Sequence, residues 1–343
     1  MDNRNKYKSD RRFNILVFYL MAFIKALTYF LPETIRTNED IIKNLDDSEE
    51  VGVSMTKSMG VEWRHVVKPE ETAADIAEKA ALKLFSDYHI APEEIDFLIY
   101  VTQGSDYSMP STACILQDHL NIPSTAGAFG MDLGCSGYVY GLAVAGSFVE
   151  SGLAKNVLLL TADTTSKYIH PKDKNLLLFG DGASASLISD RGFAEIGKFE
   201  LGTDGKGFEH IIIRNGGWRH RTLEGNSRDW FFMDGEAIFN FTVECIPPLI
   251  KGTLCKNGLQ EQDIDYYVFH QANKYMLNTL RKLNGIPKDK FFVDLSDTGN
   301  TASSTVPIGL KKSIDSGAVN KGMKVMLAGF GVGLSWAGTI LQF

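Results

Sequence analysis

Residues 93–101 read EEIDFLIYV, and residues 262–270 read QDIDYYVFH, with Ile95 matching Ile264 at an offset of 169. A second pair of segments agrees with the first: VESGLAKNVLLL (149–160) resembles IDSGAVNKGMKVML (314–327), with Gly152 matching Gly317 at an offset of 165. Offsets this close are explained by one duplication with small insertions, which implies two similarly folded halves packed together. The repeated segments carry apolar runs at 95–101, 156–163, 264–270 and 324–331. Runs of that length and continuity suit strands buried on both faces. Helical patterns such as AADIAEKAALKLFSDYH (73–89) and NKYMLNTLRKLNG (273–285) separate them, so the expected class is α/β. The expected organisation is an extension over residues 1–20, a first half over 21–190 and a second over 191–343.

Composition narrows the function. At 343 residues the chain is long for a single core, which favours two domains or one fused double domain. A net charge of -7 argues against a general nucleic-acid binder, because neutralising phosphates takes clustered lysine and arginine. Cys114, Cys135, Cys245 and Cys255 are scattered without metal-site spacing, so a reducing, cytoplasmic setting and no metal are expected. The N-terminus, basic MDNRNKYKSDRRF followed by apolar NILVFYLMAFIKALTYFL, imitates a signal peptide. Lys25 interrupts the apolar run, no small-residue cleavage site follows, and the run is too short for a membrane span. MAFIKALTYFLPE, from Met21, reads instead as a first strand.

At the second offset Cys135 overlays Asn300, so DLGCSG (132–137) and SDTGNTA (296–302) occupy equivalent turns, each after a strand and before a helix. Active sites in α/β proteins form where such strand ends meet. Cys135 reads either as a small buried hydrophobe or as a nucleophile mounted on a turn. The positive end of the following helix, SGYVYGLAVAGSFVESG, favours the thiolate and is expected to lower its pKa. His270 closes an apolar strand and opens HQAN; it is either a satisfied core histidine or a site residue. Asn300 is either half of an ordinary Gly-Asn turn or a donor that does not titrate. His170, in YIHPKDK, sits on a loop that is a further candidate for the site's edge. The glycine-rich FGDGASAS (179–186) and GFGVGLSWAG (329–338) match no phosphate loop; close approach of main chain to substrate explains their glycines better.

Taken together, DLGCSGY, HQAN, GNTASSTVP, FGDGA and GFGVGLSW resemble the thiolase superfamily, specifically its ketoacyl-ACP synthase III family, from about Met21 to Phe343. The resemblance implies a duplicated five-layer αβαβα fold and a homodimer. It implies that Cys135 takes an acyl group, that His270, neutral, and Asn300 hold the enolate of a decarboxylated malonyl thioester, and that the N–H groups of Cys135 and Val332 hold the oxyanion. Substrates would be acyl-CoA or acyl-ACP and malonyl-ACP, presented on phosphopantetheine, with no tightly bound cofactor, nucleic acid or membrane. Met109, Phe239, Asn273, Lys274 and Lys174 would contact substrate. Three departures bear on specificity. DSEEVGVSMTKSMGVEWRH lacks tryptophan at the place matching the family's and carries Lys57, Lys174 replaces an arginine, and Met109 stands in MPS where the family has an aromatic. A flexible methionine fits a longer or differently shaped acyl chain. Rival readings are an acyltransferase or condensing enzyme that does not decarboxylate, a non-catalytic partner subunit, and a signal-anchored binding protein.

Overall fold

The first strand forms where MAFIKALTYF lies, and the structure, a computed structural model, describes residues 21–45, 49–219 and 230–343. The expected extension, residues 1–20, lies outside the described residues. Among them, ten strands share one hydrogen-bonded sheet: β1 (Phe23–Phe30), β2 (Phe97–Val101), β3 (Gly127–Met131), β4 (Asn156–Asp163), β5 (Gly182–Ser189), β6 (Ala194–Ile196), β7 (Glu200–Thr203), β8 (Tyr266–Phe269), β9 (Lys324–Gly331) and β10 (Ser335–Gln342). Their order is β8-β9-β10-β6-β1-β5-β4-β2-β3, with β7 also paired to β10.

The duplication is visible in the pairing. β2 runs parallel to β4, which runs antiparallel to β5; likewise β8 runs parallel to β9, which runs antiparallel to β10. Phe97 lies opposite Val157, and Tyr266 lies opposite Val325, so equivalent strands sit at offsets of 169 and 168. The smaller offset at Gly152 and Gly317 reflects three extra residues between Gly317 and Val325. The three-residue β6 joins the halves by pairing with β1 on one side and β10 on the other.

Strand side chains alternate between faces, and here both faces are buried. In β2 and β4, Leu98, Tyr100, Leu158 and Leu160 pack under the outer helices α1 (Ala73–Tyr88) and α2 (Thr112–His119). Their neighbours Ile99, Val101, Val157 and Leu159 join a central core with Val325 and Leu327 of β9. That core also holds Val139 and Leu142 of α3 (Gly137–Glu150). Met326 and Ala328 of β9 face the other way, toward α4 (Gly235–Asn257) and α5 (Lys274–Leu283). Val306 and Leu310 of α6 (Thr305–Asp315) return to the central core beside α3. The layers are therefore α1/α2, strands, α3/α6, strands, α4/α5: the expected αβαβα arrangement. Burial on both faces is why these strands are apolar throughout rather than alternating. Helix starts are locally specified; α1 opens at Thr72, whose hydroxyl accepts from the Asp75 N–H while the Asp75 carboxylate accepts the Thr72 N–H at 2.7 Å.

The two central helices fix the site. Each begins at one of the overlaid turns, so α3 and α6 bring Cys135 and Asn300 toward one place between the halves.

Candidate active site

Cys135 stands two residues before α3, in a turn with no spare volume. A Cβ on Gly137 would lie 2.5 Å from Val101 Cγ1, and one on Gly134 would lie 2.4 Å from Gln103 Oε1. From the other half, Gly331 lies against the cysteine: its φ is +156°, and a Cβ there would sit 3.0 Å from Cys135 Cβ and 3.1 Å from Sγ. The GFGVG loop thus brings its main chain against Cys135 itself. The backbone N–H groups of Cys135 and Val332, near the sulfur, pull its pKa down. Burial, the larger cause, and the charge of Asp163 outweigh them and push the thiol up to about 12. The sequence expectation of a lowered pKa is thus corrected. The sulfur opens on a cavity, but its surroundings are dense protein and a neighbouring carboxylate, so the resting form is the thiol.

Cys135, His270 and Asn300 line one cavity of about 80 Å³, together with Phe330 and Asn273. His270 follows β8, is 2% exposed, and places Nδ1 2.6 Å from Thr305 Oγ1. Burial drives its pKa down to about 3, so the ring is neutral, as expected. Asn300 is held from both ends. Its backbone N–H donates to Leu178 O at 2.9 Å, and its carbonyl accepts the Gly180 N–H at 3.1 Å, so the FGDG loop of the first half grips the GNT turn of the second. Its Oδ1 accepts the Ala302 N–H at 2.9 Å, and Nδ2 donates to Ala272 O only at 3.5 Å. With the oxygen occupied, the amide's donor end remains for a ligand. Gly299, at φ +63°, allows the contact, since a Cβ there would sit 2.7 Å from Leu178 O.

A second cavity, of about 290 Å³, also reaches Cys135, lined by Phe179, Ile211, Phe231 and Val332 and edged by Gln103 and Tyr168. Cys135, Phe179 and Ile211 are walls common to the two chambers. A larger hollow of about 550 Å³ beside Arg36 and Trp230 contains none of the three residues.

Asp163, which sequence reasoning passed over, joins the halves beneath the cysteine. It is 3% exposed and accepts the Gln103 N–H at 3.0 Å, the Ser303 N–H at 3.0 Å and the Ser303 hydroxyl. Burial raises its pKa to about 6, against the pull of those donors. Its signal was present: like His270, it is a polar group ending an apolar strand.

Of the expected substrate contacts, the structure brings Asn273 to the cavity, although its Oδ1 caps α5 by accepting the Met276 N–H at 2.8 Å. Phe239 stacks on Tyr275, with ring centroids 5.7 Å apart. Lys274 packs its stem over Gly60, and Lys174 is exposed after its cap Asp173. Met109 is 76% exposed, and neither it nor Phe239, Lys274 or Lys174 lines a chamber at Cys135. His170 packs edge-on against Trp230 and is likewise outside both chambers.

Duplicated αβαβα halves that meet over a cysteine define the class of thiolase-fold condensing enzymes. Residues 129–205 match the model of 3-oxoacyl-[acyl-carrier-protein] synthase III, and residues 254–343 match that of its C-terminal part. A beta-ketoacyl-[acyl-carrier-protein] synthase III of Caldanaerobacter subterraneus subsp. tengcongensis is 36% identical over 94% of this chain and 98% of its own length. A crystal structure of a 3-oxoacyl-(acyl-carrier-protein) synthase III superposes with a TM-score of 0.88 at 41% identity, covering 94% of this chain and 100% of that one. The 3-oxoacyl-(acyl-carrier protein) synthase of Burkholderia xenovorans LB400 does so with a TM-score of 0.87 at 32% identity, covering 94% and 93%. The chain belongs to the 3-oxoacyl-ACP synthase III family and is an acyltransferase-type condensing enzyme.

Proposed function

We propose that Cys135 accepts an acyl group from an acyl-CoA or acyl-ACP and that the acyl-enzyme condenses with malonyl-ACP to give a β-ketoacyl thioester in fatty-acid biosynthesis. The observation that carries this reading is the arrangement around one sulfur: two main-chain N–H groups reach it, and a neutral histidine and an oriented asparagine share its cavity. In the first step Sγ attacks the thioester carbonyl, and the thiol proton leaves with the departing pantetheine thiolate. The N–H groups of Cys135 and Val332, already at the sulfur, hold the oxyanion. In the second step the malonyl C–C bond breaks, CO₂ leaves, and His270 and Asn300 donate to the enolate oxygen. The enolate carbon then attacks the acyl-Cys carbonyl, the C–S bond breaks, and the released cysteine thiolate takes a proton from solvent. The smaller chamber, which holds His270 and Asn300, takes the malonyl group, and the larger one, which has the room, takes the acyl chain.

A homodimer fits the exposed tip carrying Tyr107 and Met109 and the open edge of β3, the last strand of the sheet. All four cysteines are free, which suits a cytoplasmic setting, and no helix among the described residues is long and apolar enough to cross a membrane.

The test is to expose the protein to acyl-CoA and acyl-ACP panels, weigh it, and then add malonyl-ACP. Acyl mass on Cys135 followed by CO₂ release supports the reading; a stable adduct with no CO₂ on malonyl addition overturns decarboxylation, and no adduct at all overturns catalysis.

A further inference from the structure

Thr305, the first residue of α6, is 3% exposed and touches the histidine of the site through its hydroxyl. A hydroxyl carries one proton, and two acceptors lie within reach: His270 Nδ1 at 2.6 Å and Ala302 O at 3.0 Å. The Ala302 carbonyl already accepts the backbone N–H of Thr305, which closes the short turn Ala302–Ser304. Nδ1 has no other partner, and it is the nearer of the two. His270 Nε2 has no protein partner either, but it is not among the buried side-chain atoms left unpaired, so it opens to the cavity. Which ring nitrogen carries the proton therefore depends on where a single hydroxyl points.

We propose that Thr305 donates its hydroxyl proton to His270 Nδ1 and thereby holds the ring in the tautomer that presents Nε2–H to the substrate chamber. This deepens the reading above and rests on it for its consequence: a donor at Nε2 stabilises an enolate oxygen, whereas a lone pair at that position repels one. Thr305 is a positioning residue, acting through His270. Thr305 has helical φ and ψ of -61° and -42°, and its Oγ1 lies between Ala302 O at 3.0 Å and the ring nitrogen at 2.6 Å.

The experiment combines ring ¹⁵N NMR of the whole chain with three variants. In the wild type the two ring nitrogens of His270, assigned by its loss in His270→Gln, are expected to read as Nε2 protonated and Nδ1 bare. Thr305→Val keeps the shape and removes the hydroxyl; it is expected to lose that uniform tautomer and to slow CO₂ release from malonyl-ACP by about 10²-fold. Acylation of Cys135 should stay within about threefold, since that step does not use Nε2–H. Thr305→Ser, which keeps the hydroxyl, is expected to restore both the tautomer and the rate. A wild-type ring protonated at Nδ1 overturns the proposal whatever the variants do, including a Thr305→Val protein that fails to fold. Retention of the wild-type rate by a folded Thr305→Val overturns it as well. A ring protonated at Nε2 in an enzyme that acylates but releases no CO₂ supports the hydrogen bond and overturns the decarboxylative reading, so the two failures are separable.

Discussion

The turn at Cys135 and the turn at Asn300 occupy the same place in two copies of one unit, yet they are built differently. After Cys135 the helix starts at once, at Gly137, and the main-chain N–H of Cys135 stays free to serve the sulfur. After Asn300 the chain first makes a short 3₁₀ turn, with Ala302 at φ +48°, and this turn is what brings an N–H onto the asparagine Oδ1. Pro307 follows in the first turn of α6, where its missing N–H breaks no helical bond. On the proposed reading one turn presents the group that reacts, and the other presents a donor that neither reacts nor titrates. The duplication supplied two convergent helix N-termini; the side chain and the local turn assigned each its task.

The greatest expected effect comes from removing the reactive side of that comparison. Cys135→Ala should show no acyl adduct by intact mass and melt within a few degrees of the wild type, whereas an adduct persisting in it would place the nucleophile elsewhere. Next comes the other turn: Asn300→Ala should slow CO₂ release by about 10²–10³-fold while acylation stays within about threefold. The reverse pattern in stopped assays would exchange the roles of the two turns. A smaller loss is expected where the halves touch. Gly331→Ala forces a Cβ against Cys135 at an unfavourable φ, at a cost of about 1–3 kcal/mol, and acylation should fall roughly tenfold. An unchanged rate would mean that the loop is free to withdraw.

The gentlest probe is pH, and it separates the halves by sign. His270 is held at about 3 against 6.5 when unfolded, so between those values the unfolded chain binds the extra proton. Its contribution is fully present above about pH 6.5 and is lost as pH falls. Cys135 is held at about 12 against 9.0, so its contribution is present below about pH 9 and is lost as pH rises. Above about pH 9 the urea midpoint should decline, by up to about 1.4 kcal/mol per pH unit; on the acid side the decline due to His270 is opposed by Asp163, held at about 6, which favours the fold as pH falls. His270→Gln should therefore make the midpoint rise more, or fall less, on acidification than in the wild type, and Cys135→Ala should flatten only the alkaline limb; an alkaline limb that survives Cys135→Ala, or an acid response unmoved by His270→Gln, has another cause.

Much of the fold was legible because it is repetitive and buried. NVLLLTAD and KVMLAGFG became β4 and β9 end to end, since strands packed on both faces must be apolar without interruption. β6 left no trace in the pattern: three residues are too few to show a period, and it exists because two edges needed a partner. The contacts of Asp163 and Thr305 were illegible for a different reason. Ser303, the partner of Asp163, and His270, the partner of Thr305, lie far away in sequence, and no local pattern encodes such a contact.

By itself the sequence determined the duplicated α/β architecture and the trio Cys135, His270 and Asn300, because periodicity and paired turns are local properties that survive in a linear string. Tertiary structure decided the rest: that burial and Asp163 keep the cysteine a thiol, that Asn300 turns its amide nitrogen rather than its oxygen to the cavity, and that one hydroxyl faces the imidazole. Those outcomes depend on desolvation and on which donor reaches which acceptor, and both are set only when the two halves close on each other.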